Sequence, residues 1–384
     1  MGRRRTLPQL QTLQLPHLLV RLPLSDAEPL PAFEETIGED MDRRGICVAG
    51  NMVVDILYPV RGLPALGELT TIEENISRSS GGALCNVIMD LAALDSTLPL
   101  TALGRLGTDT DGDFILEKLR AFGNIDLSNL KREGRTSFTM VIADEITKQR
   151  TFYHYRGANA RFSESDIDWD RIDAKLLHLG YILLLDALDA EDAKYGTKLA
   201  RLLHNARQKG IETSVDVASE TGDRFEKLVP PALKYTNYCV INELEAEQST
   251  GVRLRDDDGG LMARNMPAAL KRLMELGVST WAVIHCPEGG YGMDNEGRHE
   301  AIDSPKLPPG YIEGTVGAGD AFCAGVLYAA HNRRSLKKGI ELGIAAATCS
   351  LSRGNATEGM RDAASAMDLY RNLRLKNGIM QDGN

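Results

Sequence analysis

The stretch that decides the fold is Gly314-Thr315-Val316-Gly317-Ala318-Gly319-Asp320-Ala321-Phe322, which leads into an apolar, helix-like segment ending near Ala330. A glycine-rich turn that opens a helix gathers backbone N–H groups and the positive end of the helix dipole at one point, so it attracts anions. No Lys-Ser or Lys-Thr pair follows the glycines, and their spacing is not GxGxxG. The stretch therefore predicts a phosphate-binding turn that is neither a Walker A loop nor a dinucleotide fingerprint.

Asp320 lies beside this predicted anion site, in the first turn of the helix. A carboxylate there would repel phosphate unless it takes part in the reaction. Deprotonating a hydroxyl that attacks a phosphoryl group is such a part. The other interpretation is an ordinary acidic residue near a helix N-terminus, where it interacts favourably with the dipole. The residues alone leave both interpretations open.

Short apolar runs alternate with segments of helical periodicity from residue 45 onward. The predicted strands are Ile46–Val54, Leu98–Leu103, Leu176–Leu185, Glu212–Val217, Asn237–Ile241 and Trp281–His285. The predicted helices are Ala83–Leu94, Asp111–Phe122, Glu191–Gln208, Pro267–Leu276, Ala318–Ala330 and Leu336–Leu351. This alternation indicates βαβ units, and hence an α/β fold with a doubly wound, mostly parallel sheet flanked by helices.

Two regions interrupt the alternation. Glu68–Ser79 is polar and favours strand, and Ser137–Ala143 with Arg150–Tyr155 has the pattern of a hairpin. Half-polar strands are typical of a small antiparallel sheet with one solvated face. We expect strands from about 55–80 and 136–157 to form a lid, since lids sequester phosphoryl transfer from water. The alternative is an edge extension of the main sheet.

Composition limits the class of protein. The 384 residues include 44 Lys and Arg against 54 Asp and Glu, a net charge of −10, which argues against a nucleic-acid partner. The longest apolar run is too short to span a membrane. Six single cysteines without metal-ligand spacing indicate free thiols in a reducing cytoplasm. Glycine is the outlier at 37 residues, so we expect some glycines to bring backbone close to a ligand.

Both ends of the chain fall outside the predicted domain, which spans residues 45–372. Residues 1–44 combine arginines with prolines that oppose a helix, and they lack the uninterrupted apolar core of a signal peptide. We expect a disordered extension there, with Met41 as an alternative start. Residues 373–384 form a C-terminal tail.

Five motifs in one order resemble the ribokinase-like, PfkB-type carbohydrate kinases. The 314–322 stretch resembles the family signature D-T-x-G-A-G-D. The other motifs are Gly50–Asp55 (a GxxxxD start), Gly81–Asn86 (GGxxxN), Gly104–Asp109 (GxxGxD) and Asn242–Glu245 (NxxE). The resemblance covers about residues 45–372 and implies an ATP-dependent carbohydrate kinase of ribokinase-like fold.

The resemblance also implies a role for each motif. Asp320 would be the general base, and an anion hole of backbone N–H groups would stabilise the transferring phosphoryl group. Mg²⁺ would be held largely through water, in keeping with its reluctance to dehydrate. The implied residues are Asp320, Gly317, Ala318 and Gly319 for catalysis; Asp55, Gly81, Gly82, Asn86 and Asn159 for the substrate; Asn242, Thr315, Gly317, Gly319, Cys349 and Ser352 for ATP; and Asn242 and Glu245 for Mg²⁺.

The sequence departs from the family pattern at several positions. Gly314 stands where the signature usually has its first Asp, which makes activation by potassium doubtful. His285 and Pro287 replace the usual Thr and first Gly of a T-x-G-x-x-G loop, so the nucleotide loop is expected to differ. Ala83 replaces the Lys of ribokinases proper, and the GGA…N form is more similar to fructokinases and general sugar kinases.

Three functions stay open on the sequence. The first is an ATP-dependent kinase of a sugar hydroxyl. The second is a nucleoside kinase of the same fold, which an apolar or aromatic base pocket beside Asp55 would favour. The third is a catalytically weak sugar- or nucleotide-binding regulator, which the altered residues Gly314 and Pro287 suggest. The resemblance further implies a homodimer through the lid.

Overall fold

A computed structural model describes residues 43–147, 149–219 and 224–376, so the expectations for residues 1–42 and 377–384 lie outside the described residues. The strands are β1 (Ile46–Gly50), β2 (Val53–Val60), β3 (Ser77–Gly81), β4 (Leu100–Leu106), β5 (Ile125–Asp126), β6 (Leu130–Arg132), β7 (Ser137–Asp144), β8 (Arg150–Tyr155), β9 (Leu176–Ile182), β10 (Glu191–Asp192), β11 (Gly196–Thr197), β12 (Glu212–Val217), β13 (Tyr238–Asn242), β14 (Trp281–Cys286), β15 (Gly289–Asp294) and β16 (His299–Asp303). The helices are α1 (Ala83–Leu94), α2 (Thr110–Arg120), α3 (Asp186–Asp189), α4 (Lys198–Gln208), α5 (Phe225–Leu233), α6 (Glu243–Thr250), α7 (Met266–Glu275), α8 (Ala318–His331), α9 (Leu336–Ser350) and α10 (Ala363–Lys376).

The main sheet has the order β16-β15-β14-β13-β12-β9-β1-β4-β5, with β6 also paired to β4. The strands from β14 to β5 pair in parallel, and β15 and β16 add an antiparallel edge. Side chains alternate between the two faces of a strand. Val48 therefore joins the core beneath α1 and α8, whereas Cys47 and Ala49 join the core beneath α4 and α7. The predicted α/β, doubly wound, mostly parallel sheet is confirmed.

A second sheet has the order β3-β2-β7-β8, and we call it the lid sheet. β2 pairs in parallel with β7 and antiparallel with β3, and β7 pairs antiparallel with β8. β7 and β8 form the hairpin that the sequence predicts. These strands come from the two segments expected to form a lid, while the limits given for the domain and the lid stay predictions.

The predicted strand Ile46–Val54 is wrong as a single element. β1 ends at Gly50, and β2 begins at Val53 in the other sheet. Gly50 has φ of 139°, and a Cβ there would lie 2.7 Å from the Gly180 carbonyl oxygen, so the chain leaves the main sheet at this residue. As a result Asp55 lies inside a lid strand rather than at the end of the first strand of the main sheet.

The predicted helix Glu191–Gln208 begins too early. Its first residues form the β10–β11 hairpin, and Thr197 then caps α4 by accepting a hydrogen bond from the Ala200 N–H at 3.1 Å. The sequence pattern also does not predict α6, because its residues ELEAEQST are polar on nearly every side and show no apolar stripe.

Within the described residues, no helix combines the length and the apolar character needed to cross a bilayer.

Candidate active site

A cavity of about 170 Å³ lies where the carboxyl ends of the parallel strands face the lid sheet. Open α/β sheets place their ligands at this edge, because helix N-termini and loop backbones meet there. Its lining residues are Val53, Asp55, Gly82, Asn86, Thr139, His154, Tyr181, Leu184, Val316, Gly317 and Asp320. The first turns of α1 and α8 therefore meet lid residues around one small volume.

Asp320 is held at this cavity by two donors from distant parts of the chain. Asn86 Nδ2 donates to Asp320 Oδ2 at 2.8 Å, and the Tyr181 hydroxyl donates to the same oxygen at 3.2 Å. No described residue donates a hydrogen bond to Asp320 Oδ1, and this oxygen is not fully buried. One oxygen of the carboxylate is thus fixed, and the other is available to a ligand.

The environment of Asp320 suits a base. Burial raises the pKa of its carboxyl to about 6, the hydrogen bonds from Asn86 and Tyr181 act in the opposite direction, and the charge of Asp55 adds to the rise. A carboxylate with a raised pKa accepts a proton more readily while remaining largely ionised at neutral pH.

Tyr181 is a site residue that the sequence reading missed. It lies in β9 with φ of 62°, a left-handed conformation that costs of order 1–3 kcal/mol and persists only where its surroundings fix it. Leu183, two residues later, has φ of 85°, and its carbonyl accepts hydrogen bonds from Arg156 Nη1 at 3.0 Å and Arg224 Nη1 at 3.1 Å. The bend aims the Tyr181 hydroxyl at Asp320, which periodicity cannot reveal.

Gly317 is the N-cap of α8 and has φ of 82°. A side chain there would adopt a strained conformation and would also overlap Ala356. The first N–H groups of a helix lack intrahelical partners, so Ala318 and Gly319 present donors at this end, and the Ala318 N–H makes only a long 3.4 Å contact with the Thr315 carbonyl. The predicted anion-binding turn has the backbone geometry of an anion cradle.

Gly81 and Gly82 lie at the junction of β3 and α1, but Gly81 faces Asp55. A Cβ at Gly81 would overlap Asp55 Oδ2, so the missing side chain makes room for that carboxylate. Gly82 lines the cavity, as does Asp55, whose pKa is raised by burial and lowered in part by a hydrogen bond from Thr139.

Buried carboxylates gather behind the cavity. Asp216, near the end of β12, and Glu245, in the first turn of α6, are both buried, and burial raises the pKa of each. The charge of Asp320 adds to the rise for both, and the charge of Glu245 adds to it for Asp216. For Glu245 the pKa is about 7, with hydrogen bonds from Ser219 and Asn242 opposing the rise. Asp216 is not among the site residues that the sequence predicts. Its position near the carboxyl end of an apolar strand was the signal that could have identified it.

This cluster fits a hard divalent cation. In the described part of the chain, no Lys or Arg is paired with Asp216, Glu245 or Asp320. Carboxylate and amide oxygens are the ligands that Mg²⁺ prefers. No three His, Cys, Asp or Glu among the described residues lie close enough to hold an ion directly, so the fit is to an ion that keeps several waters.

Asn242 caps α6 and forms a reciprocal pair with Glu245. Its Oδ1 accepts from the Glu245 N–H at 2.9 Å, while Glu245 Oε2 accepts from the Asn242 N–H at 3.0 Å and Glu245 Oε1 from Asn242 Nδ2 at 2.7 Å. Capping and ion binding are compatible, because a carboxylate oxygen accepts more than one bond.

The predicted nucleotide residues are spread over two places. Thr315 lies exposed on the anion turn. Cys349 is fully buried in the core, and the Ser352 hydroxyl donates to the Cys349 carbonyl at 2.7 Å. Their contact with a nucleotide remains a prediction.

Gly314 is packed against the loop that follows α9. A Cβ at this position would lie 2.9 Å from the Gly354 carbonyl oxygen and 3.0 Å from that of Arg353. The space that an aspartate would need at position 314 is occupied by backbone.

His285, at the other departure from the family pattern, has its ring against Phe322 with the ring centroids 4.9 Å apart. Burial lowers the pKa of His285 to about 4, so its imidazole is neutral.

Asn159 is fully buried, and the oxygen and nitrogen of its side-chain amide both form hydrogen bonds with the backbone of Met52. Its Oδ1 accepts from the Met52 N–H at 3.2 Å, and its Nδ2 donates to the Met52 carbonyl at 3.0 Å. Asn159 does not line the cavity, so the structure gives it a positioning role at the start of β2. The predicted substrate contact stays untested.

Comparison with known proteins agrees with this geometry. The model of the pfkB family carbohydrate kinases matches residues 43–363. The bifunctional ribokinase/ribose-5-phosphate isomerase A of Fructilactobacillus sanfranciscensis is 25% identical over 278 residues, which are 72% of this chain and 47% of that protein. This chain thus spans about half the length of that relative. The probable chloroplastic fructokinase-6 of Arabidopsis thaliana is 24% identical over 302 residues, covering 75% of this chain and 70% of that protein.

Solved structures of ribokinases share this fold. Arabidopsis thaliana ribokinase, solved in complex with ribose and ATP, superposes with a TM-score of 0.69 at 20% identity, covering 86% of this chain and 99% of that one. The fold is thus ribokinase-like. The chain belongs to the pfkB family of carbohydrate kinases.

Replacing Asn159 with alanine is expected to destabilise the protein by about 2–4 kcal/mol, because it leaves the buried Met52 N–H and carbonyl without partners. Urea unfolding measures this change. Asn332→Ala, which removes an exposed amide bonded to the Tyr328 carbonyl, is the control and should cost under about 1 kcal/mol. Equal costs for the two variants would contradict the positioning role.

Proposed function

We propose that the protein is an ATP-dependent sugar kinase that transfers the γ-phosphate of ATP to a hydroxyl of a carbohydrate. The observation that carries the proposal is the meeting of three groups at one cavity: the open Oδ1 of Asp320, the N-terminal N–H groups of α8, and Asp55. Family membership supplies the class of reaction.

Asp320 is the general base in this proposal. The substrate hydroxyl gives its proton to Oδ1 as its oxygen attacks the phosphoryl group, while Asn86 and Tyr181 hold Oδ2 and keep the carboxylate oriented. A base fixed in this way acts without first reorganising its own contacts.

The backbone of Gly317, Ala318 and Gly319 forms the anion hole. Donors that are fixed before the reaction stabilise the negative charge on the transferring phosphoryl group at no cost in reorganisation. Asp55 accepts hydrogen bonds from sugar hydroxyls at the other end of the cavity. The lid strands that carry Asp55, Thr139 and His154 exclude water from the transfer.

ATP and Mg²⁺ belong on the side of α6 and α8 in this proposal. Asn242 and Glu245, with Asp216, are the residues that would hold the ion through water. When bound, Mg²⁺ offsets charge on the phosphates. Thr315, Cys349 and Ser352 remain the proposed nucleotide contacts.

The cavity favours a sugar over a nucleoside. Its volume of about 170 Å³ is below the ~300–1,000 Å³ usual for drug-sized ligands, and Tyr181, the single Tyr, Phe or Trp among its lining residues, donates its hydroxyl to Asp320. Beside Asp55 and Tyr181, the lining has the apolar side chains of Val53, Leu184 and Val316 and the imidazole of His154, and its other residues are polar or glycine. The complete arrangement around Asp320 favours an active enzyme over a weak regulator.

Asp320→Asn should lower kcat by about 10²- to 10⁴-fold and leave sugar affinity nearly unchanged, because the amide keeps the shape but cannot take the proton. A coupled assay of ADP release across sugars and nucleosides measures this. Asp170→Asn, an exposed carboxylate outside the cavity, is the control. Wild-type turnover in Asp320→Asn would remove it from the mechanism, and ATP binding without ADP release for every compound would refute the kinase.

Tyr181→Phe should move the acid limb of the pH profile of kcat/KM to higher pH. In the wild type we expect this limb near pH 6, where Asp320 loses its proton and becomes a base. The Tyr181 hydroxyl stabilises the ionised carboxylate of Asp320, so its removal raises the pKa of Asp320. At pH values on the acid limb, kcat/KM should therefore fall several-fold. Tyr195→Phe, outside the cavity, should leave the profile unmoved; identical profiles for Tyr181→Phe and wild type would contradict this role.

The proposed homodimer through the lid is supported by exposed apolar side chains. Leu66, Leu69 and Ile72, between β2 and β3, and Phe152 on β8 are all more than 40% exposed. Apolar groups gathered on one part of a surface are typical of interaction sites. Light scattering is expected to report a dimer, and Leu66→Glu combined with Leu69→Glu should shift it toward monomer. A monomer at all micromolar concentrations would contradict the proposal.

A further inference from the structure

A row of polar residues crosses the lid sheet beside the cavity. Asp55 on β2 is the register partner of Thr139 on β7, and Thr139 is the register partner of His154 on β8. Directly opposite residues on neighbouring strands share one face of a sheet. All three line the cavity, so His154 stands at the end of the row with its ring at the binding volume.

One nitrogen of the His154 ring is already paired within this row. The Thr139 hydroxyl lies 3.0 Å from His154 Nδ1 and forms a hydrogen bond with it. A hydroxyl both donates and accepts, so this contact forms with either neutral tautomer of the ring. Burial and the charge of Arg156 lower the pKa of His154, with Asp186 acting in the opposite direction, so the ring is neutral at pH 7.

His154 Nε2 is the nitrogen that remains open. Among the residues that the structure describes, none forms a hydrogen bond with it. The cavity also holds the acceptor oxygens of Asp55 and Asp320. Hydroxyl groups, which donate and accept, match such a lining.

The charge of the cavity also limits its ligand. Within the described residues its lining includes Asp55 and Asp320 but no Lys or Arg. A phosphate or carboxylate on the ligand would meet these two carboxylates without a lining cation to offset the repulsion.

We infer that His154 is a specificity-determining residue, whose Nε2 forms a hydrogen bond with one hydroxyl of an uncharged, unphosphorylated sugar. This inference rests on the proposed function, which it deepens by naming the class of acceptor and one of its contacts. Because His154 lies on the lid, the same bond ties the substrate to the lid sheet.

The test compares wild type, His154→Phe and His154→Gln with D-fructose, D-glucose, D-ribose, fructose 6-phosphate and the monodeoxy analogues of the sugar used best. His154→Phe should lower kcat/KM for that sugar about 3- to 10-fold, the range expected for one lost hydrogen bond. His154→Gln, whose side-chain amide also forms hydrogen bonds, should recover most of the loss. The shift in melting temperature produced by sugar without ATP should follow the same order.

One monodeoxy analogue decides the role. For the sugar that lacks the contacted hydroxyl, wild type and His154→Phe should have equal kcat/KM, because there is no bond to lose. Tyr153→Phe is the matched control, since the adjacent residue on a strand points to the opposite face. It should leave kcat/KM unchanged for every sugar.

The outcomes separate the inference from the function. Equal losses in His154→Phe for every analogue, or unchanged kinetics for the best sugar, would overturn the role of His154 while leaving the kinase intact. A preference for fructose 6-phosphate over the neutral sugars would overturn the uncharged acceptor alone. ADP release with no sugar, or with nucleosides only, would refute the proposed function and the inference with it.

Discussion

The bond from Asn86 Nδ2 to Asp320 Oδ2 at 2.8 Å joins residues 234 positions apart in the chain, and the site depends on it. It links the first turns of α1 and α8, the two helices whose N-termini border the cavity. Because the bond is buried, losing either partner would leave a polar group unpaired in a region of low dielectric, where the penalty is large. The bond thus fixes the first turn of α1 relative to the first turn of α8, as well as the orientation of the carboxylate.

The second constraint is charge. The carboxyl ends of β12, β13 and β9 converge on one edge of the sheet. There the charge of Asp320 adds to the burial that raises the pKa values of Asp216 and Glu245. Hydrogen bonds from Ser219, Asn242, Asn86 and Tyr181 offset part of this repulsion. The remaining negative charge favours a bound cation, and the pKa values of Asp320 and Glu245, about 6 and about 7, lie near neutral pH.

Strain is concentrated where the main sheet meets the lid. Tyr181 and Leu183 both have positive φ, and the backbone around Leu183 is held by Asp189, Arg156 and Arg224. Arg156 directly follows β8, so the same residues that fix the bend also tie down the end of the lid hairpin. The bend that delivers Tyr181 to Asp320 and the position of His154 are therefore connected through a few side chains.

The sequence by itself determined the features that arise from neighbouring residues: the α/β alternation, the glycine-rich turn at 314–322 that opens α8, the helix α1 and the β7–β8 hairpin. Its errors and omissions concern distant contacts. Asp55 belongs to the lid because Gly50 ends β1 against Gly180, and Glu191–Asp192 pairs with Gly196–Thr197 instead of starting a helix. The tertiary structure alone decided that Tyr181 and His154 line the cavity and that Asp216 lies near Asp320, since strand order, register and a positive φ place them there. Local periodicity records which face of an element is apolar, but it does not record which distant backbone that face will meet.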